Sequence, residues 1–241
     1  MSVLIYNNSE ELFHDLSEYI LNIATQAIAE KDSFNFVLTG GNSPKKLYEI
    51  LATTYKDKVD WSKVYFFFGD ERNVSPNHES YNGLMAKRSI LDPLEIAEDH
   101  IFYVNTNLEP EQSATDYNAS IVKHFKDKEI SFDLILLGMG DDAHTASLFP
   151  QTEILDNNEA TVASVYVEKL STYRISLTAG LINKAKNIAF LVFGESKAEA
   201  VQHVLGDEDK NTTLYPSQLI APINGTLTWF LDDQAASLIE N

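Results

Sequence analysis

Apolar positions along this chain alternate between two periodicities from one end to the other. Leu12, Leu16, Tyr19, Ile20, Ile23 and Ala27 recur at the spacing of one helix face, behind a capping candidate at Ser9. The run Phe34–Leu38, apolar but for Asn35, predicts a strand. Residues 44–51 predict a helix, with Ser43 as N-cap and proline at the first helical position. Strands follow at 61–68, at a short run over 101–104, and at 132–137, separated by helices over about 80–91 and 111–126. Strands at 161–167 and 173–177 are placed to pair antiparallel at a sheet edge. A strand over 188–193, a helix over 196–205, a strand over 226–230 and a C-terminal helix complete the pattern. Such alternation predicts an α/β fold with a mostly parallel sheet and helices on both faces.

Composition narrows the possibilities. The chain has 241 residues, and no tract rich in Pro, Gly or Ser is long enough to divide it, so we expect a single domain over 1–241. Its apolar runs are strand-sized, which excludes a bilayer-spanning helix and membrane partners. A formal charge of −18 argues against nucleic acid and anionic membrane surfaces. It also requires any phosphorylated ligand to find locally basic groups. With no cysteine, disulfides, thiolate catalysis and zinc–thiolate sites are ruled out. The N-terminal segment lacks the basic and long apolar regions of a signal peptide, so a cytoplasmic protein is expected.

Candidate chemistry lies at predicted strand ends, where open α/β sheets bind ligands. After the 132–137 strand come Gly138, Gly140, Asp141, Asp142, Ala143 and His144. This puts a flexible turn, two carboxylates and an imidazole together, and imidazole is the side chain suited to proton transfer near neutral pH. Thr39, Gly40, Gly41, Asn42 and Ser43 join a strand to a helix N-terminus. That segment reads either as an anion site or as an ordinary turn. Asp70, Glu71 and Arg72 end another buried strand; they form either a solvated ion pair or an arginine facing the crevice with a carboxylate orienting it. Arg174 within an apolar alternation and Lys197 at a helix start add two cations that need partners. Ser147 has no nucleophile-elbow context, and the histidines lack metal-ligand spacing.

Taken together, LTGGNSP, DERNVSP followed by HESYN, GMGDDAHTASLFP, YRISLT, GESKAEAV and LYPSQLIAPINGTLTWFLDDQAA resemble the 6-phosphogluconolactonase family over nearly the whole chain. Related glucosamine-6-phosphate deaminases resemble DEY and GHIAFNEP at the second and third motifs. Here Arg72 stands at the tyrosine position, and Ser147-Leu-Phe-Pro150 replaces the F-N-E-P ending. The resemblance implies a Rossmann-like, sugar-phosphate isomerase-like fold, with no metal or other cofactor. It implies hydrolysis of 6-phospho-D-glucono-1,5-lactone to 6-phospho-D-gluconate in the oxidative pentose phosphate pathway. The implied partner is a small phosphorylated sugar lactone, handled by a monomer or weak homodimer.

Carried over by motif, His144 is the acid/base, Asp142 lies beside it, and Arg72 sits near the reacting end. Gly40, Gly41, Asn42, Ser43, Asp70, Arg174 and Lys197 are the implied substrate- and phosphate-binding positions. A hexosamine-phosphate deaminase or isomerase using a carboxylate such as Asp70, and a non-catalytic sugar-phosphate-binding regulator, are the rival readings. Three departures stand out. Ala143 occupies a position usually held by glycine, costing about 1 kcal/mol if the backbone there is left-handed. Asn42 is often serine, and Ser75 alters the spacing of the proline after DER.

Overall fold

The runs are almost wholly apolar because their strands are buried on both faces, with Asn35 the polar exception in the first of them. In the computed structural model, which describes residues 1–126, 128–206 and 210–239, β2 (Phe34–Leu38) and β5 (Leu134–Gly138) lie inside a parallel sheet and β3 (Val64–Phe68) at its end. Successive residues of these strands enter opposite apolar layers: Phe36, Phe66, Leu134 and Leu136 face one side, Val37, Phe67, Ile135 and Leu137 the other. Among the described residues the sheet has six strands, in the order β1-β9-β8-β5-β2-β3, with β1 (Ser2–Tyr6), β8 (Asn187–Val192) and β9 (Thr226–Asp232). Every pairing in it is parallel.

Helices cover both faces, as expected for a parallel sheet whose crossovers must return over it. Helix α1 (Ser9–Lys31) buries Leu12, Leu16 and Ile20 in one layer beside Leu47 and Leu51 of α2 (Asn42–Thr53) and Ile90 beyond α3 (Asn82–Ala86). Helix α4 (Pro110–Phe125) buries Ala114, Tyr117 and Ile121 in the other layer, with α5 (Ala179–Ile182) and α6 (Ala198–Leu205). A second, three-stranded sheet, β4-β7-β6, is built from β4 (Asp70–Arg72), β6 (Val162–Val167) and β7 (Thr172–Leu177), all antiparallel.

Several local expectations change. The α1 cap is Asn8, whose side chain accepts from the N–H groups of Glu10 and Glu11, so Ser9 is already helical. Gly41, not Ser43, is the N-cap of α2. The expected strand over 101–104 is reduced to one bridge between Phe66 and Ile101. The antiparallel pair forms, but in the second sheet rather than at an edge of the first. Residues 233–238, expected to be helical, form successive turns. The helix expected over 80–91 changes to π-type bonding at Lys87–Leu91, and β1, a short apolar run that is largely exposed, is an additional strand. No described helix is long and apolar enough to cross a membrane.

Candidate active site

The parallel sheet sends β2, β5 and β8 toward one end, and β4 and β7 of the second sheet lie beside it. Between them is a cleft of about 360 Å³, which lies within the range of small-ligand sites. His144, Asp142, Arg72, Gly40, Gly41, Ser43, Asp70, Arg174 and Lys197 all line it. The Asn42 side chain lies outside the described residues. Segments separated by more than a hundred residues thus converge on one cavity.

The loop after β5 is folded tightly around His144. A Cβ on Gly140 would sit 2.1 Å from His144 Nδ1 and 2.6 Å from an Asp142 oxygen, so the ring's placement requires glycine there. The Gly140 N–H donates to the His144 carbonyl at 2.9 Å, and the Ala143 N–H donates back to the Gly140 carbonyl at 3.1 Å. Ala143 adopts φ 59°, the left-handed conformation that the usual glycine would favour, and Ala146 follows at φ 48°. His144 Nδ1 lies 2.5 Å from Asp142 Oδ1. An ionised carboxylate has only lone pairs to offer, so Nδ1 carries the proton and Nε2 presents the basic lone pair. The imidazole also stacks on Phe149, with ring centroids 3.9 Å apart.

Asp142 is held on both oxygens, because Lys169 Nζ lies 3.0 Å from Oδ2. Burial pushes its carboxyl pKa up, but the hydrogen bond and charge of His144, together with Lys169, outweigh that and hold it well below the usual carboxylate range. Lys169 is raised in turn, first by its hydrogen bond to Asp142 and then by that group's charge.

The DER segment divides its labour. Arg72 stands opposite Arg174 in the β4–β7 register. Arg72 Nη1 donates to the Ser80 carbonyl at 2.8 Å, while its Nε has no protein partner. Arg174 is buried, and its Nε and Nη1 are also without protein acceptors. Burial lowers its pKa, and the neighbouring Asp70 charge opposes that shift. Two guanidiniums with unmet donors in one cleft call for an anionic ligand. Asp70 accepts the Ser147 hydroxyl at 2.7 Å on Oδ2, which gives Ser147 a structural bond rather than a nucleophile's base. Glu71 does not orient Arg72's guanidinium. It is fully buried and accepts the N–H groups of Arg72, Asn82 and Gly83 at 2.8–2.9 Å, closing the N-terminus of α3. Burial pushes its carboxyl up to about 8 against the pull of those three bonds.

Across the cleft, the β2–α2 turn is shaped for an anion. Gly41 at φ 98° caps α2 without a side-chain bond, and the helix has no acidic residue in its first turn. Gly40 lies so near Asn82 that a Cβ would overlap its amide. The buried Tyr48 hydroxyl donates to the Thr39 carbonyl at 2.8 Å and accepts the Thr39 N–H at 3.0 Å, fixing the end of β2. Lys197, in the single turn Glu195–Lys197 ahead of α6, lines the cleft and makes no ion pair among the described residues. No described cluster of three or more histidine, aspartate or glutamate side chains has the arrangement of a metal site.

Sequence reasoning missed Lys169 and the ring contact of Phe149. Lys169 lies between two strands correctly expected to pair, so its place in a hairpin tip was legible. Its reach to Asp142 was not, because it depends on how the second sheet docks against the first.

A family model described as glucosamine-6-phosphate isomerases/6-phosphogluconolactonase matches residues 7–229. A 6-phosphogluconolactonase of Synechocystis sp. is 40% identical over 215 residues, covering 88% of this chain and 87% of that one. A probable 6-phosphogluconolactonase 1 of Arabidopsis thaliana is 35% identical over 251 residues, covering 99% and 93%. The crystal structure of 6-phosphogluconolactonase from Leishmania guyanensis superposes with a TM-score of 0.87 at 23% identity, covering 100% of this chain and 99% of that one; this likeness bears on the fold.

Proposed function

The chain belongs to the glucosamine-6-phosphate isomerase/6-phosphogluconolactonase family, and we propose that His144 is the acid/base of its reaction. That reaction is hydrolysis of 6-phospho-D-glucono-1,5-lactone to 6-phospho-D-gluconate, in the oxidative branch of the pentose phosphate pathway. The observation that carries the assignment is the bond from His144 Nδ1 to Asp142, which leaves Nε2 as a base on the cleft wall.

A lactone carbonyl is already electrophilic, so the protein needs a placed water, a base and a counter-charge. Nε2 of His144 takes a proton from water as the water oxygen bonds to C1 and the carbonyl π pair moves onto oxygen. Arg72 stabilises that oxyanion. When the tetrahedral intermediate collapses, the bond from C1 to the ring oxygen breaks, and the imidazolium returns its proton to that leaving oxygen. The new carboxylic acid then ionises to the product carboxylate. Asp142 keeps the imidazole in the right tautomer and stabilises its charged form, the role a buried carboxylate plays in other histidine-based sites. Arg174, Lys197 and the Gly40–Gly41–Asn42–Ser43 turn hold the remote phosphate, whose binding energy orients the reacting end. Local cations overcome the chain's net negative charge because salt screens distant surface charges beyond about 8–10 Å.

The test is a lactonase assay on freshly generated 6-phosphogluconolactone, corrected for spontaneous hydrolysis. Replacing the acid/base should lower kcat by about 10²–10⁴-fold in His144→Asn. A wild-type kcat in that variant overturns the assignment.

A further inference from the structure

We infer that Lys169 is a positioning residue for this reaction, tethering the Asp142 carboxylate so that it stays on His144. The inference rests on the acid/base role proposed for His144. Lys169 belongs to the single turn Glu168–Leu170 joining β6 to β7, so it reaches the β5 loop from the other sheet. Its ammonium lies 3.0 Å from Asp142 Oδ2, while Oδ1 of the same carboxylate receives His144 Nδ1. One planar group thus links the hairpin tip to the imidazole.

The surroundings explain why a second tether matters. Asp142 and Lys169 both line the catalytic cleft and also a neighbouring cavity of about 630 Å³ bounded by Phe149–Thr152, Glu153 and Tyr166–Glu168. The pair therefore sits beside open space rather than in packed core. The described bonds holding its side chain come from His144 and Lys169 alone. Without Lys169, Oδ2 has no described protein partner, and rotation about the side chain's last bond would draw Oδ1 off the imidazole. Glu153 and Glu168 border the second cavity, so neither offers a replacement cation.

The pair itself contributes little to the fold. The Lys169 side chain is 63% exposed, and ion pairs this wet are usually worth only about 0–1 kcal/mol. Small displacements of a catalytic group nevertheless reduce rates strongly. The expected signature is therefore a loss of turnover without a loss of stability or substrate affinity.

The experiment compares Lys169→Met, Lys169→Arg and His144→Asn in the intact protein by lactonase kinetics, thermal melting and proton NMR. The NMR probe is the low-field imidazole N–H resonance that disappears in His144→Asn. Lys169→Met is expected to lower kcat about tenfold with KM and Tm unchanged, and to broaden that resonance through faster exchange. Lys169→Arg is expected to restore both. The inference is overturned if Lys169→Met keeps the wild-type kcat, if it raises KM alone, or if kcat falls while the resonance is unaltered. A fully active His144→Asn overturns the acid/base reading instead, whatever Lys169 does.

Discussion

Ser217 donates both its backbone N–H and its hydroxyl to the carbonyl oxygen of Ala143, at 3.0 and 2.8 Å. The two residues are 74 apart in the chain and both are buried. Ala143 immediately precedes His144 and holds a left-handed backbone at φ 59°. The LYPSQL segment thus braces one of the two left-handed positions in the loop around His144.

Replacing Ser217 with alanine removes the hydroxyl bond and leaves the N–H bond. A loss of about 1 kcal/mol in stability is expected, since single buried hydrogen bonds contribute on that order. Urea unfolding measures the loss, and kcat should fall with it because the brace adjoins His144. A Ser217→Ala protein with wild-type stability and kcat would show that the brace does not support the loop.

At Ala143 itself two opposing terms partly cancel. Glycine relieves a left-handed penalty of roughly 1–2 kcal/mol but gives up roughly 0.5–1 kcal/mol of backbone entropy. Ala143→Gly is therefore expected to be between equal to wild type and about 1.5 kcal/mol more stable, and to retain activity. Ala143→Val places a β-branched residue at positive φ and should be distinctly less stable. Equal midpoints for the glycine and valine variants in urea would contradict the strain argument.

Glu71 predicts a pH dependence of stability. Burial raises its carboxyl pKa to about 8 in the folded state, above the ordinary value of 4.5. The folded protein therefore binds this proton more tightly than the unfolded chain. The resulting stabilisation is complete below about pH 4.5 and is lost as pH rises through about 8. Urea midpoints taken from pH 5 to pH 9 should fall in wild type more steeply than in Glu71→Gln, which cannot ionise. Parallel curves for the two proteins would rule out Glu71 as the source.

Arg174 has two buried N–H groups with no protein acceptor, so a ligand anion should be what satisfies them. Hydrogen bonds to charged groups are worth about 1.5–3 kcal/mol, or roughly 10–100-fold in affinity. Arg174→Met is expected to raise KM by that factor with a smaller change in kcat. Steady-state kinetics with an unchanged KM would remove Arg174 from the substrate site.

Asp133 supplies the control at the opposite end of the sheet. It immediately precedes β5, is buried, and meets Lys31 at 2.7 Å, Lys186 at 3.1 Å and the Asn35 N–H at 2.8 Å. Asp133→Ala should lower stability by about 1–3 kcal/mol, because it leaves the buried Asn35 N–H without its acceptor while the partly exposed Lys31 and Lys186 can turn to solvent. Its kcat, measured below the melting temperature, should match wild type, because the cleft lies at the other strand ends. A specific loss of turnover in the folded variant would contradict that separation.

The run Phe34–Leu38 was readable to the residue because a strand buried on both faces is mostly apolar, a property local to its own side chains; its one polar member, Asn35, is buried against His124. The glycine turn before His144 and the turn at Gly41 were readable for a similar reason: backbone geometry there limits which residues fit. Periodicity did not register β1, whose residues are largely exposed, or distinguish the turns at 233–238 from a helix. Composition likewise could not say that Glu71 folds back to cap α3, or that Arg72 and Arg174 stand opposite each other, a contact that needs the register of two strands about a hundred residues apart. Lys169 is the sharpest case. Its own neighbours place it in a hairpin tip, but only the docking of the small sheet against the large one brings its charge to Asp142. Most of the elements and the chemical groups of the cleft are written locally, through conformation and burial; which charges meet is a property of the tertiary fold, because electrostatic and hydrogen-bonding partners are set by distance in space, not along the chain.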